Sequence, residues 1–295
     1  MTDRTVRRGV PTSLALYDET ARDAAAAVIS QYSTSFGLAC RLLGARPRPH
    51  VRSIYALVRV ADEIVDGPAE AAGLSPTEAE AVLDELEIET LRAIDRGFSA
   101  NLVVHAFALT ARECGIGADL VRPFFASMRT DLSTYDHDDA SHDAYVYGSA
   151  EVVGLMCLQV FVNAGSKHPT APADVLVDGA RRLGAAFQDV NFLRDLDHDE
   201  AALGRDYLGV STGATTRAAV LDRIDGDLAA AASVIPLLPA DCRRAVTAAH
   251  DLFAALSERL RRSDDGSMRV RVPDAVKARI AVRAMLGGSP RGARA

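Results

Sequence analysis

Tryptophan is absent and aromatic residues make up only 5% of the 295 positions. The β-branched, aromatic-rich runs of sheet proteins are therefore missing, and the dominance of Ala, Leu, Arg and Glu favours helices. Four cysteines, Cys40, Cys114, Cys157 and Cys242, lie far apart with no CxxC pair, which excludes a disulfide framework or a structural zinc site and fits a reducing cytoplasm. An excess of positive charge is also lacking. Lys and Arg number 33 against 40 Asp and Glu, for a net charge of -7, so no nucleic-acid partner is expected. The seven histidines are dispersed and no Glu has His three positions later, which leaves zinc, a nucleophile–base pair and a di-iron bundle without support. Behind the basic N-terminal residues there is no apolar run long enough for a signal-peptide core. The most apolar stretch, Val152 to Val162, has about half the length of a membrane span.

What is present is a chain 48% hydrophobic and 25% charged, able to bury a large core. An all-α bundle is expected, read as one domain over 1–295 with flexible ends at 1–12 and 288–295. Helices are predicted over Glu19 to Ser30, Ser33 to Leu43 and His50 to Val65, with Gly67-Pro68 as a stop. Further helices are predicted at about 76–96, 101–114, 118–133, 142–164, 173–197, 214–235, 240–262 and 272–286. Two polar segments interrupt them: the acidic stretch Tyr135 to Asp139, and the loop after Asp199 through Gly204 and Gly209.

Two of these helices carry acidic stripes. Asp62 and Asp66 stand four residues apart, hence on one face about 6 Å apart, with Tyr55 and Arg59 leading to them along the same stripe. In the second helix Gln188, Asn191, Asp195 and Asp199 advance by three or four positions, among apolar neighbours that place the helix inside the bundle. Buried carboxylates need a cation. If both stripes meet in one cavity they fit Mg²⁺, a hard ion that completes its shell with phosphate oxygens, and Arg59, Arg194 and Arg205 could hold the same oxygens. The alternative is that these arginines are ordinary ion-pair partners of the aspartates.

The chain resembles the squalene and phytoene synthase family, the head-to-head branch of the isoprenoid synthases. Tyr32-Ser33-Thr34-Ser35-Phe36 is similar to its opening S-x-S-F, and Tyr55 through Asp66 to its first aspartate-rich motif. Tyr145 through Met156 is similar to its central segment, and Gln188 to Asp199 followed by Gly204-Arg205-Asp206-Tyr207-Leu208 to its second acidic motif and G-R-x-Y-L tail. Glu151, Ser149 and Gly209 depart from the usual Gly, Val and Pro. Glu151 is expected on the outer side of its helix, away from Tyr145, because buried it would need a partner or a proton.

The resemblance implies a helical fold around a central cavity, with two acidic helices facing each other across Mg²⁺ ions, or Mn²⁺ in their place, and two prenyl diphosphates. Asp62, Asp66, Asp195 and Asp199 would bind metal, with Glu63 a weaker ligand. Ser33, Ser35, Arg59, Arg194, Arg205 and Tyr207 would contact diphosphate, Gln188 and Asn191 would line the site beside Tyr55, and Tyr145 would stand near the reacting carbons. Phe36, Val153, Leu155 and Phe187 would keep the pocket dry. The implied reaction joins two prenyl diphosphates through a cyclopropyl diphosphate, giving phytoene from C20 units, or squalene from C15 units with NADPH. Cys40, one turn after Phe36, would leave room for a longer tail, which favours C20. A squalene or dehydrosqualene synthase and a non-catalytic prenyl-binding scaffold are the alternatives. The greasy substrates also lead to an expectation of peripheral contact with the inner membrane face.

Overall fold

The computed structural model describes residues 12–33, 35–133, 139–203, 208, 215–263 and 270–292, without the side chains of 35, 133, 139–141 and 196–203. Among the described residues every regular element is helical. In chain order these are α1 (Ser13–Tyr32), α2 (Ser35–Arg41), α3 (Arg48–Val65), the single turn α4 (Pro68–Ala71), α5 (Pro76–Arg96), α6 (Leu102–Cys114) and α7 (Ala118–Ser133). They continue as α8 (Asp139–Val146), a π turn (Tyr147–Glu151), α9 (Val152–Asn163), α10 (Asp174–Leu203), α11 (Arg217–Val234), α12 (Ala240–Arg262) and α13 (Asp274–Met285).

Local chemistry sets the ends. At α5 the Ser75 hydroxyl accepts the Glu78 N–H, Glu78 reaches back to the Ser75 N–H, Pro76 occupies the first turn, and Gly97 closes the helix at φ 79°. α1 begins earlier than Glu19 because the Thr12 hydroxyl accepts the Ala15 N–H at 3.1 Å. α10 runs past 197 to Leu203, so the polar loop expected after Asp199 starts later. Most of that loop, like the acidic stretch at 134–138, lies outside the described residues.

Among the described residues four apolar clusters hold the helices, the smallest formed by Ala21, Ala25, Ala56 and Ala106 of α1, α3 and α6. Ile54, Leu57, Phe107, Phe124, Phe125 and Met156 centre the one built by α3, α5, α6, α7 and α9. Val190, Ile224, Leu256, Leu260 and Ile280 centre the one built by α10 to α13, which also takes in Tyr145. The third, with Ile29, Cys40, Leu43 and Cys242, ties α1 and α2 to α12. All four cysteines are free thiols.

One expectation is corrected. The apolar stretch is longer than it reads, because α8, the π turn and α9 form one run in which His142–Asn163 has the length and hydropathy of a membrane span; half of that window is buried inside the bundle. The described part of the C-terminal segment, 288–292, is hydrogen-bonded to the bundle. The Arg291 N–H donates to Asp251 at 2.8 Å and Arg283 donates to the Ser289 carbonyl at 2.7 Å, because Asp251 is buried and must recruit donors.

The π turn is where the bundle is tightest. A Cβ at Gly148 would overlap Ser127 Oγ and the Pro123 carbonyl, and one at Gly184 would stand 2.7 Å from the Ala150 carbonyl. Bare backbone on these faces lets α7 and α10 close on the turn that follows Tyr145. Gly148→Ala is expected to lower stability by about 1–3 kcal/mol through overpacking. Gly226→Ala, on the exposed side of α11 with open space around it, should raise stability by about 0.5–1 kcal/mol. Urea unfolding of the two variants checks both signs.

Candidate functional site

The last two turns of α3 carry the first acidic stripe. Asp62 is surrounded by protein, yet 29% of its side chain is exposed, the signature of a group lining a recess. Burial first, and the Asp66 carboxylate second, push its carboxyl up to about 8; Arg59 opposes them, and Asp131 and Glu63 add to the rise. Arg59 stands 4.0 Å from Asp62, is bonded to Glu63, and lies over the Tyr32 ring at 4.7 Å. Its Nε is buried without a hydrogen-bond partner. A guanidinium fixed on three sides and unsatisfied on the fourth is an anion donor awaiting an acceptor.

Asp131, on α7, was not among the residues read from the sequence. It is only 6% exposed and accepts the Tyr145 hydroxyl through both oxygens at 2.8 and 2.9 Å. A readable signal existed: Phe124, Ser127 and Asp131 follow steps of three and four down the apolar face of α7, where a carboxylate is out of place. Ser127 donates to the Tyr145 carbonyl at 3.1 Å, so α7 holds this residue at both backbone and side chain. The π turn begins two residues later, as such turns often do beside functional groups.

Rings connect the helix of the second stripe to Tyr145 and to Phe36. Tyr145 packs against Phe192 of α10 at 5.9 Å, one turn before Asp195. Nearer the start of α10, Phe187 meets Phe36 of α2 at 6.2 Å, and Phe36 also touches Tyr55 of α3 at 6.5 Å and Phe253 of α12 at 6.0 Å. Phe187 and Phe253 stack at 3.8 Å. Phe253 is a second residue that the sequence reading missed; nothing in the α12 pattern separates it from ordinary core. Asp195 accepts from the Arg194 Nε at 3.0 Å, while Gln188 and Asn191 are half-buried on the same helix. Asp189 turns elsewhere, to Arg223 of α11 at 2.9 Å.

Ser33 accepts the Phe36 N–H at 3.0 Å and lies within hydrogen-bonding reach of Tyr55, whose hydroxyl is pushed up by burial. Val153 and Leu155 are half-buried on α9. Glu151 is bonded to the exposed Arg181 at 2.6 Å rather than to anything near Tyr145. The Ser35 and Asp199 side chains, Arg205 and Tyr207 lie outside the described residues. Among the described residues no three acidic, His or Cys groups form a ready metal cage. The donor set nevertheless fits a hard divalent ion: oxygens only, a carboxyl forced up by burial, and a neighbouring carboxylate whose repulsion a cation would relieve.

The sign of that strain is testable. A carboxyl raised from the ordinary range to about 8 disfavours the folded state progressively as pH climbs from the unfolded value to the folded one. In the presence of a chelator the protein is expected to melt lower at pH 8 than at pH 6, and Asp62→Asn should flatten that slope. Thermal melts at the two pH values, for parent and variant, decide it.

Comparison with known proteins agrees with the geometry. The family described as squalene/phytoene synthase matches residues 29–212. The chloroplastic phytoene synthase 1 of Arabidopsis thaliana is 33% identical over 202 residues, covering 68% of this chain and 45% of that protein. The 15-cis-phytoene synthase of Paracoccus sp. is 28% identical over 274 residues, covering 85% and 86%. The chain spans about half the length of the plant relatives it matches. Among solved structures, a ligand-bound dehydrosqualene synthase superposes with a TM-score of 0.75 at 21% identity, over 92% of this chain and 98% of that one. A squalene synthase from Alicyclobacillus acidocaldarius gives 0.71 at 20%, over 86% and 96%. These structures share the helical fold.

Proposed function

The chain belongs to the squalene/phytoene synthase family, and from that premise we propose that it condenses two geranylgeranyl diphosphates head to head into phytoene, through a cyclopropyl diphosphate. The observation that carries the reading is the forced-up carboxyl of Asp62 beside the unsatisfied Nε of Arg59. One group calls for a cation and the other for an anion, and a metal diphosphate supplies both.

Asp62 and Asp66 on α3, with Asp195 and Asp199 on α10, are the residues that would hold Mg²⁺, or Mn²⁺ in its place. Bound there, the ion neutralises charge as it develops on the departing diphosphate. Arg59 donates from Nε to a diphosphate oxygen, with its other nitrogens kept in place by Glu63 and Asp62. Arg194, Arg205, Tyr207, Ser33 and Ser35 supply further donors by the family pattern. The allylic cation then needs a wall without water, and Phe36, Tyr55, Phe187 and Phe253 present aromatic faces suited to positive charge.

Tyr145 donates its proton to Asp131, which turns the oxygen lone pairs away from that bond. In the closing step to phytoene a carbon-bound proton leaves the cation and its electron pair forms the alkene. Tyr145 Oη can take that proton while passing its own to Asp131, and the released diphosphate is the competing acceptor. No hydride donor is required on this route. The curated relatives named phytoene synthase favour C20 units, and the small Cys40 packed beside Tyr55 and Phe161 favours a long tail.

Product analysis with purified protein, Mg²⁺ and either prenyl diphosphate, with and without NADPH, tests the assignment. Phytoene is expected from the C20 diphosphate without NADPH; reaction of the C15 diphosphate alone would make the chain a squalene or dehydrosqualene synthase. Asp62→Asn and Asp195→Asn should each lower kcat at least about 100-fold, on the scale of losing one electrostatic stabiliser. Unchanged metal-dependent diphosphate release in both variants would leave a prenyl-binding scaffold. Asp131→Asn keeps the hydrogen bond to Tyr145 but not the proton sink, so kcat should fall with KM little changed.

A further inference from the structure

α13 has two apolar faces. The inner one, Val276, Ile280, Ala281 and Ala284, is packed into the cluster shared with α12 or buried beside it. The outer one, Ala275, Ala278, Val282, Met285 and Leu286, advances by three and four positions from small side chains to large ones, and every member is exposed. Val282 is 49%, Met285 46% and Leu286 83% exposed. A helix apolar on both sides is expected to be covered on both.

The charge around it selects the cover. From Arg271 to Gly292 five cations, Arg271, Lys277, Arg279, Arg283 and Arg291, stand against the single anion Asp274, in a chain of net charge -7; Lys277 pairs with Asp274, and Arg283 and Arg291 with Asp251 and Glu258 of α12, which leaves Arg271 and Arg279 outside these pairs. Arg271 and Arg279 are exposed, and Arg279 and Arg283 flank the outer stripe on one side. An apolar stripe edged with arginine is complementary to an anionic bilayer surface. It is poorly suited to a second copy of this chain. The 12 residues of α13 make a helix only about 18 Å long, whose single face falls well short of the about 800 Å² per partner of a stable interface.

The helix also borders a surface groove. A groove of about 580 Å³ is lined by Lys277 and Ala278 of α13 at one side and by Ser33 and Gly37 at the other, next to Phe36 of the aromatic wall. We propose that the outer face of α13 rests on an anionic lipid bilayer, bringing the mouth of this groove to the surface from which prenyl diphosphates are drawn. The substrate half of this statement rests on the synthase reading above; the docking half does not.

The test is co-sedimentation of the full chain with phosphatidylcholine vesicles, with and without phosphatidylglycerol. Binding is expected only when phosphatidylglycerol is present, to weaken with salt, and to fall about tenfold or more when Val282→Glu and Leu286→Glu are combined. Arg279→Gln should weaken binding less and reduce its salt dependence. Turnover of detergent-dispersed substrate should be unchanged in all variants, which shows that they fold. Equal binding of parent and double variant, failure of the parent to bind, or a concentration-dependent dimer that the double variant abolishes would each overturn the proposal. Vesicle binding through α13 by a protein inactive on every prenyl diphosphate would support the docking face and overturn the synthase assignment instead.

Discussion

The arrangement turns on a carboxylate placed where charge is poorly solvated. Asp62 is raised by Asp66, the residue that caps the end of its helix, and feels Asp131 from α7, with Arg59 opposing them. Net negative charge gathered in a recess destabilises the protein alone and is retained when it holds something positive. The surroundings are consistent with that demand. Tyr32, Glu63 and Asp62 fix the guanidinium of Arg59 so that it cannot swing in to neutralise the acids completely, and its free Nε leaves a place for an anion.

The fold meets this demand by holding its site residues from several helices at once. Tyr145 is anchored by α7 through Ser127 and Asp131 and leans on Phe192 of α10. Phe36 touches rings from α3, α10 and α12. The close backbone approaches at Gly148 and Gly184 press α7 and α10 onto the π turn. Displacing α3 would therefore disturb the acid cluster and the aromatic wall together, since it carries both Asp62 and Tyr55.

Much of this was legible in the sequence where the signal is local. The helices at 76–96, 118–133 and 240–262 are found at those bounds, and at α5 the reason is explicit in Ser75, Pro76, Glu78 and Gly97. The spacing of Asp62 and Asp66 placed them a turn apart, although α3 ends at Val65 and Asp66 is its C-cap. What escaped was non-local. Asp131 has meaning only once Tyr145 of another helix reaches it, and Phe253 only once Phe36 and Phe187 close around it. The π turn leaves no periodic mark, and the hold of Asp251 on the C-terminal segment spans 40 residues.

The two acidic stripes differ in a way that bears on how a diphosphate would be received. On α3 the arginine stands before the aspartates and is bound mainly by Glu63, with Asp62 farther off at 4.0 Å. On α10 the arginine is the immediate neighbour of Asp195 and is bonded to it. A cation arriving at Asp195 must compete with Arg194 for the same oxygens, so metal binding there would release a guanidinium into the recess as it takes a carboxylate. The α3 stripe has its anion donor ready in advance, whereas the α10 stripe gains one only when metal comes. Charge balance would therefore couple the two stripes in the proposed synthase: a cation held by Asp195 would free Arg194 as a donor for a diphosphate.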